Sequence, residues 1–217
     1  MNTQAITRLK KIYRNMKKDI ISRLKEFEDL WSQKNDEAIF TELAFCLLTP
    51  QSKAKSCWNA IRLLEEDDIL IKGNADRIKT VLKKCVRFHN KKAEYLVNAR
   101  SLFLKNGRLS IKSMLSGFPD VYACREWLVK NIKGLGFKEA SHFLRNIGSG
   151  KDVAILDRHI LKNLKLFRII EDIPTSLTCA RYRQIEKKMT EFAKKIDIPL
   201  SHLDLLLWYK ETGEIFK

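Results

Sequence analysis

Lys138 and Asp157, nineteen residues apart, mark the part of the sequence best equipped for chemistry. A neutral primary amine is a nucleophile, and a carboxylate stabilises positive charge that develops in a transition state. Just before the lysine stands Gly134-Leu-Gly136, between two segments of helical pattern. Glycines at that spacing allow a tight turn with φ > 0 and a close approach by another backbone. Where the second helix starts, unpaired amide N–H groups and the helix dipole favour an anion, so a phosphate suits the place. The same positive end favours a neutral Lys138, whereas Asp157 favours its ammonium, and the two influences oppose each other. Ala140, Phe143, Leu144 and Ile147 follow a spacing of three and four that can bury one side of this helix, while Lys138, His142 and Arg145 recur on another.

Helical spacing recurs through the rest of the chain and no window alternates apolar with polar, which predicts an all-α protein. From Thr3 to Trp31, Leu9, Tyr13, Met16, Ile20, Leu24 and Phe27 predict one long helix or two joined near Lys18-Asp19, with the lysines as a solvated face. Asn35-Asp36 are expected to cap a helix through Leu48, buried on Ile39, Phe40, Leu43, Ala44 and Leu47, and Pro50 follows its end. The next helix starts at Ala54, with Cys57, Trp58, Ile61 and Leu64 inward. Arg77–Cys85 and Asn90–Lys105 read as two more helices around the loop Val86-Arg-Phe-His-Asn90, where spacing alone makes Phe88 a core residue. Asp120 caps a helix through Lys130, the first arm of a hairpin spanning about 121–147. Beyond it Val153-Ala-Ile-Leu156 leads into a helix beginning near Asp157, which by itself reads as an N-cap. Thr178–Ile196 is another helix, and Ser201 with Asp204 is expected to form a capping box for the last one, which Gly213 ends. Nothing marks a domain boundary, so residues 1–217 are expected to form a single unit.

The charge balance favours a polyanionic partner: 42 Lys+Arg against 26 Asp+Glu give a formal +16 and a pI near 9.7. No run approaches the ~18–20 apolar residues that span a bilayer, which leaves nucleic acid ahead of a membrane. The five cysteines are odd in number and scattered, as buried free thiols of a reducing compartment would be. With no secretory pattern at the polar, basic N-terminus, a cytoplasmic protein, nucleoid-associated when bound to DNA, is expected. Their spacing also excludes a clustered four-cysteine iron–sulfur site, and no His/Cys/carboxylate cluster has metal-ligand spacing, so no metal or cofactor is expected beyond a monovalent cation on hairpin carbonyls.

Gly134-Leu-Gly136, Lys138 and Asp157 together resemble the helix-hairpin-helix superfamily of base-excision DNA glycosylases, which carries a G-x-G hairpin followed at a fixed distance by an aspartate. Within it, Asn131–Arg145, Val153–Ile160, the closing Leu203-Asp-Leu-Leu-Leu-Trp-Tyr-Lys-Glu-Thr-Gly213 and Lys217 look most like the small archaeal-type 8-oxoguanine DNA glycosylase/AP lyases. The resemblance implies two packed helical lobes with the active site between them. It implies that Lys138 attacks the sugar and forms a Schiff base, that Asp157 stabilises positive charge on that sugar, and that Phe88, Trp208 and Lys217 recognise the base. Gln51, held in the loop Thr49-Pro-Gln-Ser-Lys-Ala54, is the expected wedge that fills the space left by an extruded base, although the family often has Ala-Asn where this chain has Pro50-Gln51. Gly134, Gly136, Lys133 and His142 complete the set expected on DNA, and His159 is read as structural.

The implied activity is excision of 8-oxoguanine from double-stranded DNA followed by nicking through β-elimination, by a monomer. Hairpin contacts would position the protein on the backbone without reading sequence, so affinity should fall steeply with salt. Two alternatives stay open on the residues alone: the same fold acting on another damaged base, and a non-catalytic hairpin module that only binds DNA.

Overall fold

The computed structural model describes residues 2–33 and 36–217; the expected cap at Asn35 lies outside them. Thr3–Ser32 forms one helix, α1, capped by the Asn2 side chain accepting from Ala5 N. Neither proline nor glycine interrupts it at Lys18-Asp19, so nothing breaks the hydrogen-bond ladder there. Its buried Leu9, Ile20 and Phe27 lie on the predicted stripe.

Two apolar cores follow, one per lobe. The first collects α2 (Asp36–Leu48), α3 (Ala54–Glu66), α4 (Ile69–Lys72), α5 (Ala75–Leu82), α6 (His89–Phe103), α7 (Ile111–Leu115), α8 (Val121–Asn131) and α9 (Phe137–Asn146). The second joins α1 to α10 (Arg158–Leu166), α11 (Cys179–Ile196) and α12 (Leu200–Thr212). The first and last helices therefore share one lobe, while Phe216 beyond α12 packs on the other. α2 is buried on every side from Ile39 to Leu48, which suits its near-continuous apolar run.

The helix expected over Arg77–Cys85 runs instead from Ala75 to Leu82, behind the Asn74 cap, and three further local predictions fail for identifiable reasons. α6 stops at Phe103 rather than Lys105, because Asn106 (φ 51°) and Gly107 (φ 76°) form a tight turn between β1 (Leu104–Lys105) and β2 (Arg108–Leu109). Asn-Gly adopts two successive left-handed conformations readily, which matches the twist of a two-residue hairpin. Ser201 and Asp204 form no capping box. α12 starts behind Pro199, whose ring presets the backbone, so Ser201 lies inside the helix and Asp204 points into the interior. Phe88 is no core residue either: it is 54% exposed and sits at φ 57° just before α6. Of the cysteines, Cys46, Cys57 and Cys124 are buried, Cys85 is half-buried and Cys179 is exposed.

Candidate active site

The hairpin joins α8 to α9. Gly134 takes φ 88°, and a Cβ there would stand 2.2 Å from the Tyr95 ring, so both the turn and the neighbour demand glycine. Gly136 differs from the expectation for it: at φ −91°, ψ 179° it is ordinary extended backbone and serves as the residue before α9. Its lack of a side chain leaves room for Glu139, whose Oε2 would lie 3.0 Å from an added Cβ. Lys133 is exposed on the turn.

Lys138 is the second residue of α9, next to the unpaired amides of the helix start. Its Nζ lies 3.3 Å from Thr49 Oγ1 and 3.1 Å from Glu139 Oε1. Thr49 is directional, because its hydroxyl donates to Cys46 O at 2.8 Å and so turns a lone pair towards the ammonium. Asp157 caps α10 by accepting from Ile160 N at 2.8 Å, which fixes the direction of its carboxylate. The extended segment before it is pinned by α11: Tyr182 Oη donates to Ala154 O at 2.6 Å and accepts from Leu156 N at 3.1 Å, and Glu186 Oε1 accepts from Ala154 N at 2.7 Å.

A carboxylate that sequence reasoning assigned to a cap feels the charge of both groups. Asp204 on α12 is buried, 3.5 Å from Arg145 Nη1 of α9. Burial pushes its carboxyl up to about 6; the positive charge of Arg145 opposes that rise, the like charge of Asp157 adds to it, and Lys138 opposes it. The charges of Lys138 and Asp157 thus both bear on one buried carboxyl. An aspartate on the apolar side of a Leu-rich helix was the available signal.

His142 does not face a DNA-binding surface. α9 is packed on both sides, so the face shared by Lys138, His142 and Arg145 runs inward after its first turn. His142 is buried edge-on against Phe45, 5.6 Å between ring centres, with the backbone of Lys217 beside its ring. Burial, with the charges of Arg145 and Lys138, drives it well below the usual histidine range, which makes it a neutral wall residue.

Lys217 lies against that wall. Its Nζ pairs with Glu42 on α2 and sits 3.7 Å above the centre of the Trp58 ring, while Phe216 packs edge-on to Phe45. Glu42, 2% exposed, also accepts from Asn146 Nδ2 at 2.9 Å. Trp58 was expected to face inward and Glu42 was not singled out; only the burial of its charge within the apolar part of α2 marks it. Trp208 stands edge-on to His159 at 5.2 Å, and its indole N–H has no partner among the described residues. Gln51 is exposed at φ 55° in the turn between α2 and α3. Arg87 N donates to Ser52 Oγ at 3.1 Å, which brings the turn bearing Phe88 beside the turn bearing Gln51. Among the described residues no group of three His, Cys, Asp or Glu is gathered as a metal site, and no helix is long and apolar enough to cross a membrane.

With this geometry in view, the comparisons with known proteins agree. The profile of the 8-oxoguanine DNA glycosylase family of helix-hairpin-helix type matches residues 20–198. An 8-oxoguanine DNA glycosylase/AP lyase of Fusobacterium nucleatum is 47% identical over 209 residues, covering 96% of each chain. The solved 8-oxoguanine glycosylase/lyase of Methanocaldococcus jannaschii, in complex with a 15mer DNA containing 8-oxoguanine, superposes with a TM-score of 0.89 at 35% identity, over 99% of this chain and 100% of that one. The 8-oxoguanine DNA glycosylase of Thermotoga maritima gives 0.88 at 32% identity, over 99% of each chain. The chain belongs to the 8-oxoguanine DNA glycosylase family.

Proposed function

We propose that this protein excises 8-oxoguanine from double-stranded DNA and nicks the strand at the resulting abasic site, with Lys138 as nucleophile and Asp157 as the electrostatic partner. The observation that carries this reading is the placement of Lys138 at the start of α9, held by Thr49, with the capping carboxylate of Asp157 across the seam and both acting on Asp204. As the C1′–N9 bond lengthens, positive charge builds on the sugar, and a fixed carboxylate stabilises it more than the ground state. The neutral amine attacks C1′, the base leaves with the bonding pair and takes one of the amine's protons, and the C1′–O4′ bond then breaks as O4′ takes the other, leaving a C1′=N Schiff base. Loss of a C2′ proton then expels the 3′ phosphate by breaking the C3′–O bond.

The remaining residues take roles around that step. Gly134, Gly136 and Lys133 hold a phosphate at the hairpin. Gln51 enters the duplex, Phe88 and Trp208 offer ring faces to the extruded base, and Lys217, anchored through Glu42 and Trp58, forms the wall that separates 8-oxoguanine from guanine. A monovalent cation at the hairpin belongs to the same reading: the Ile132 carbonyl accepts one hydrogen bond, from Leu135 N at 3.2 Å, and its remaining lone pair would help hold the ion, which would add positive charge for a DNA phosphate. The protein acts as a monomer.

Borohydride trapping on a duplex with one 8-oxoguanine tests the mechanism. The native chain should form a covalent adduct and Lys138→Gln should not. Tight DNA binding without adduct or released base would instead make the protein a non-catalytic hairpin module.

A further inference from the structure

Lys92 is a lysine on the apolar stripe of α6, 3% exposed, alongside the buried Ala93, Leu96, Ala99 and Phe103. Its ammonium uses all three hydrogens within one turn of chain: it donates to Leu48 O at 2.7 Å, to Pro50 O at 2.8 Å and to Ser52 Oγ at 2.9 Å. Leu48 is the last residue of α2, where unpaired carbonyls and the negative end of the dipole attract a cation. Burial pulls Lys92 below the usual lysine range, so the interior resists its charge. A leucine or methionine would pack on the same stripe without that cost. What neither could do is hold two carbonyls and a hydroxyl at one point.

The segment so held contains Thr49 and Gln51, which in the proposed function serve the nucleophile and the wedge. Thr49 contacts the Lys138 ammonium, and Gln51 is exposed in the strained left-handed region that a loose turn would leave. Ser52 Oγ also accepts from Arg87 N at 3.1 Å, which ties the same point to Phe88, itself at φ 57°. One buried ammonium therefore joins the wedge, the nucleophile's hydroxyl partner and a base-stacking ring.

We infer that Lys92 is a positioning residue for base extrusion: its ammonium holds the 49–52 turn in the shape that presents Gln51 to the duplex and Thr49 to Lys138, and through Ser52 keeps Phe88 beside them. The inference rests on the proposed glycosylase reading. Lys92 touches neither substrate nor reacting atoms.

The test is single-turnover excision at saturating enzyme, together with the fluorescence of a 2-aminopurine placed next to 8-oxoguanine, which brightens when the stack opens. Fluorescence is read in a Lys138→Gln background so that chemistry does not intervene, and circular dichroism gives the folded fraction. Folded Lys92→Met should excise roughly ten- to a hundredfold more slowly, the range for losing hydrogen bonds to a charged group, with its 2-aminopurine signal falling in parallel. Ser52→Ala keeps the two carbonyl bonds but cuts the link to Arg87, and should lose about fivefold with a dimmer signal. Unchanged excision by folded Lys92→Met, or slowed excision with full brightness, overturns the inference. Should Lys92→Met fail to fold, Ser52→Ala decides by the same two readings. If the native chain releases no 8-oxoguanine, the proposed function itself fails, an outcome separate from any difference between variants.

Discussion

Arg125 and Glu186 form a two-pronged ion pair, 2.6 and 2.8 Å, with almost no exposure on either side chain. The pair joins α8, the first arm of the hairpin, to α11 of the other lobe. Glu186 also accepts from Ala154 N, so the residue that fastens the lobes also fixes the approach to Asp157. A buried pair of this kind adds little over apolar packing while intact, but removing one partner strands a charge. Glu186→Ala should lower unfolding stability by about 3–5 kcal/mol. Urea denaturation checks it, and a loss under about 1 kcal/mol would mean that the stranded Arg125 reaches water.

Asp157 carries a cap and, in our reading, the chemistry, and substitution can separate the two. Asparagine keeps an oxygen for Ile160 N, whereas alanine does not. Asp157→Ala should lose about 1 kcal/mol of stability and Asp157→Asn only a few tenths. Both should lose excision by about a hundredfold or more, as removal of a preorganised electrostatic group does. If Asp157→Asn excised at the native rate under single-turnover conditions, Asp157 would be a cap and nothing more.

Much of this site was legible in the sequence because the signals are local. Gly134, Lys138 and Asp157 declare themselves by spacing, and the helices by their apolar stripes. What escaped prediction depends on which faces meet in space. The face of α9 bearing His142 and Arg145 looks like a solvated stripe until α2 and α12 close over it, and Asp204 looks like a cap until Arg145 stands opposite. Lys92 and Glu42 are charges on apolar faces, which periodicity treats as exceptions and the structure uses as anchors. Phe88 failed in the other direction: its spacing is that of a core residue, but a left-handed backbone turns it outward.

Two of these hidden groups give stability opposite slopes in pH. His142 is held below its usual 6.5, so the folded state binds fewer protons than the unfolded one. Its contribution is present above 6.5 and is lost as pH falls. Asp204 is raised from 3.8 to about 6, so the folded state binds more protons between those values. Its contribution is present below 3.8 and is lost as pH rises through 6. Urea midpoints of native protein and of Asp204→Asn, compared between pH 4 and 7, should show the native protein losing ground to the variant by roughly 1–3 kcal/mol as pH rises. A difference that stays flat, or that grows in favour of the native protein, would place Asp204 in a wetter site than this one.

Glu42 is the last residue whose position carries a consequence. Its carboxylate holds Lys217 from one side and Asn146 from the other, and Lys217 in turn covers the Trp58 face. Glu42→Gln keeps the shape and the bond to Asn146 but removes the charge that anchors Lys217. An ammonium left above Trp58 alone keeps only a cation–π attraction of about 0.5–2 kcal/mol, too little to fix a flexible side chain at one point. The wall that we propose for the base should then loosen while Lys138, Thr49 and Asp157 stay in place. Excision of 8-oxoguanine relative to guanine should drop by roughly tenfold, the effect of losing about 1.4 kcal/mol of discrimination, with trapping at a preformed abasic site nearly native. Equal losses on both substrates would show instead that Glu42 supports the nucleophile, and an unchanged ratio would show that Lys217 keeps its place without the ion pair.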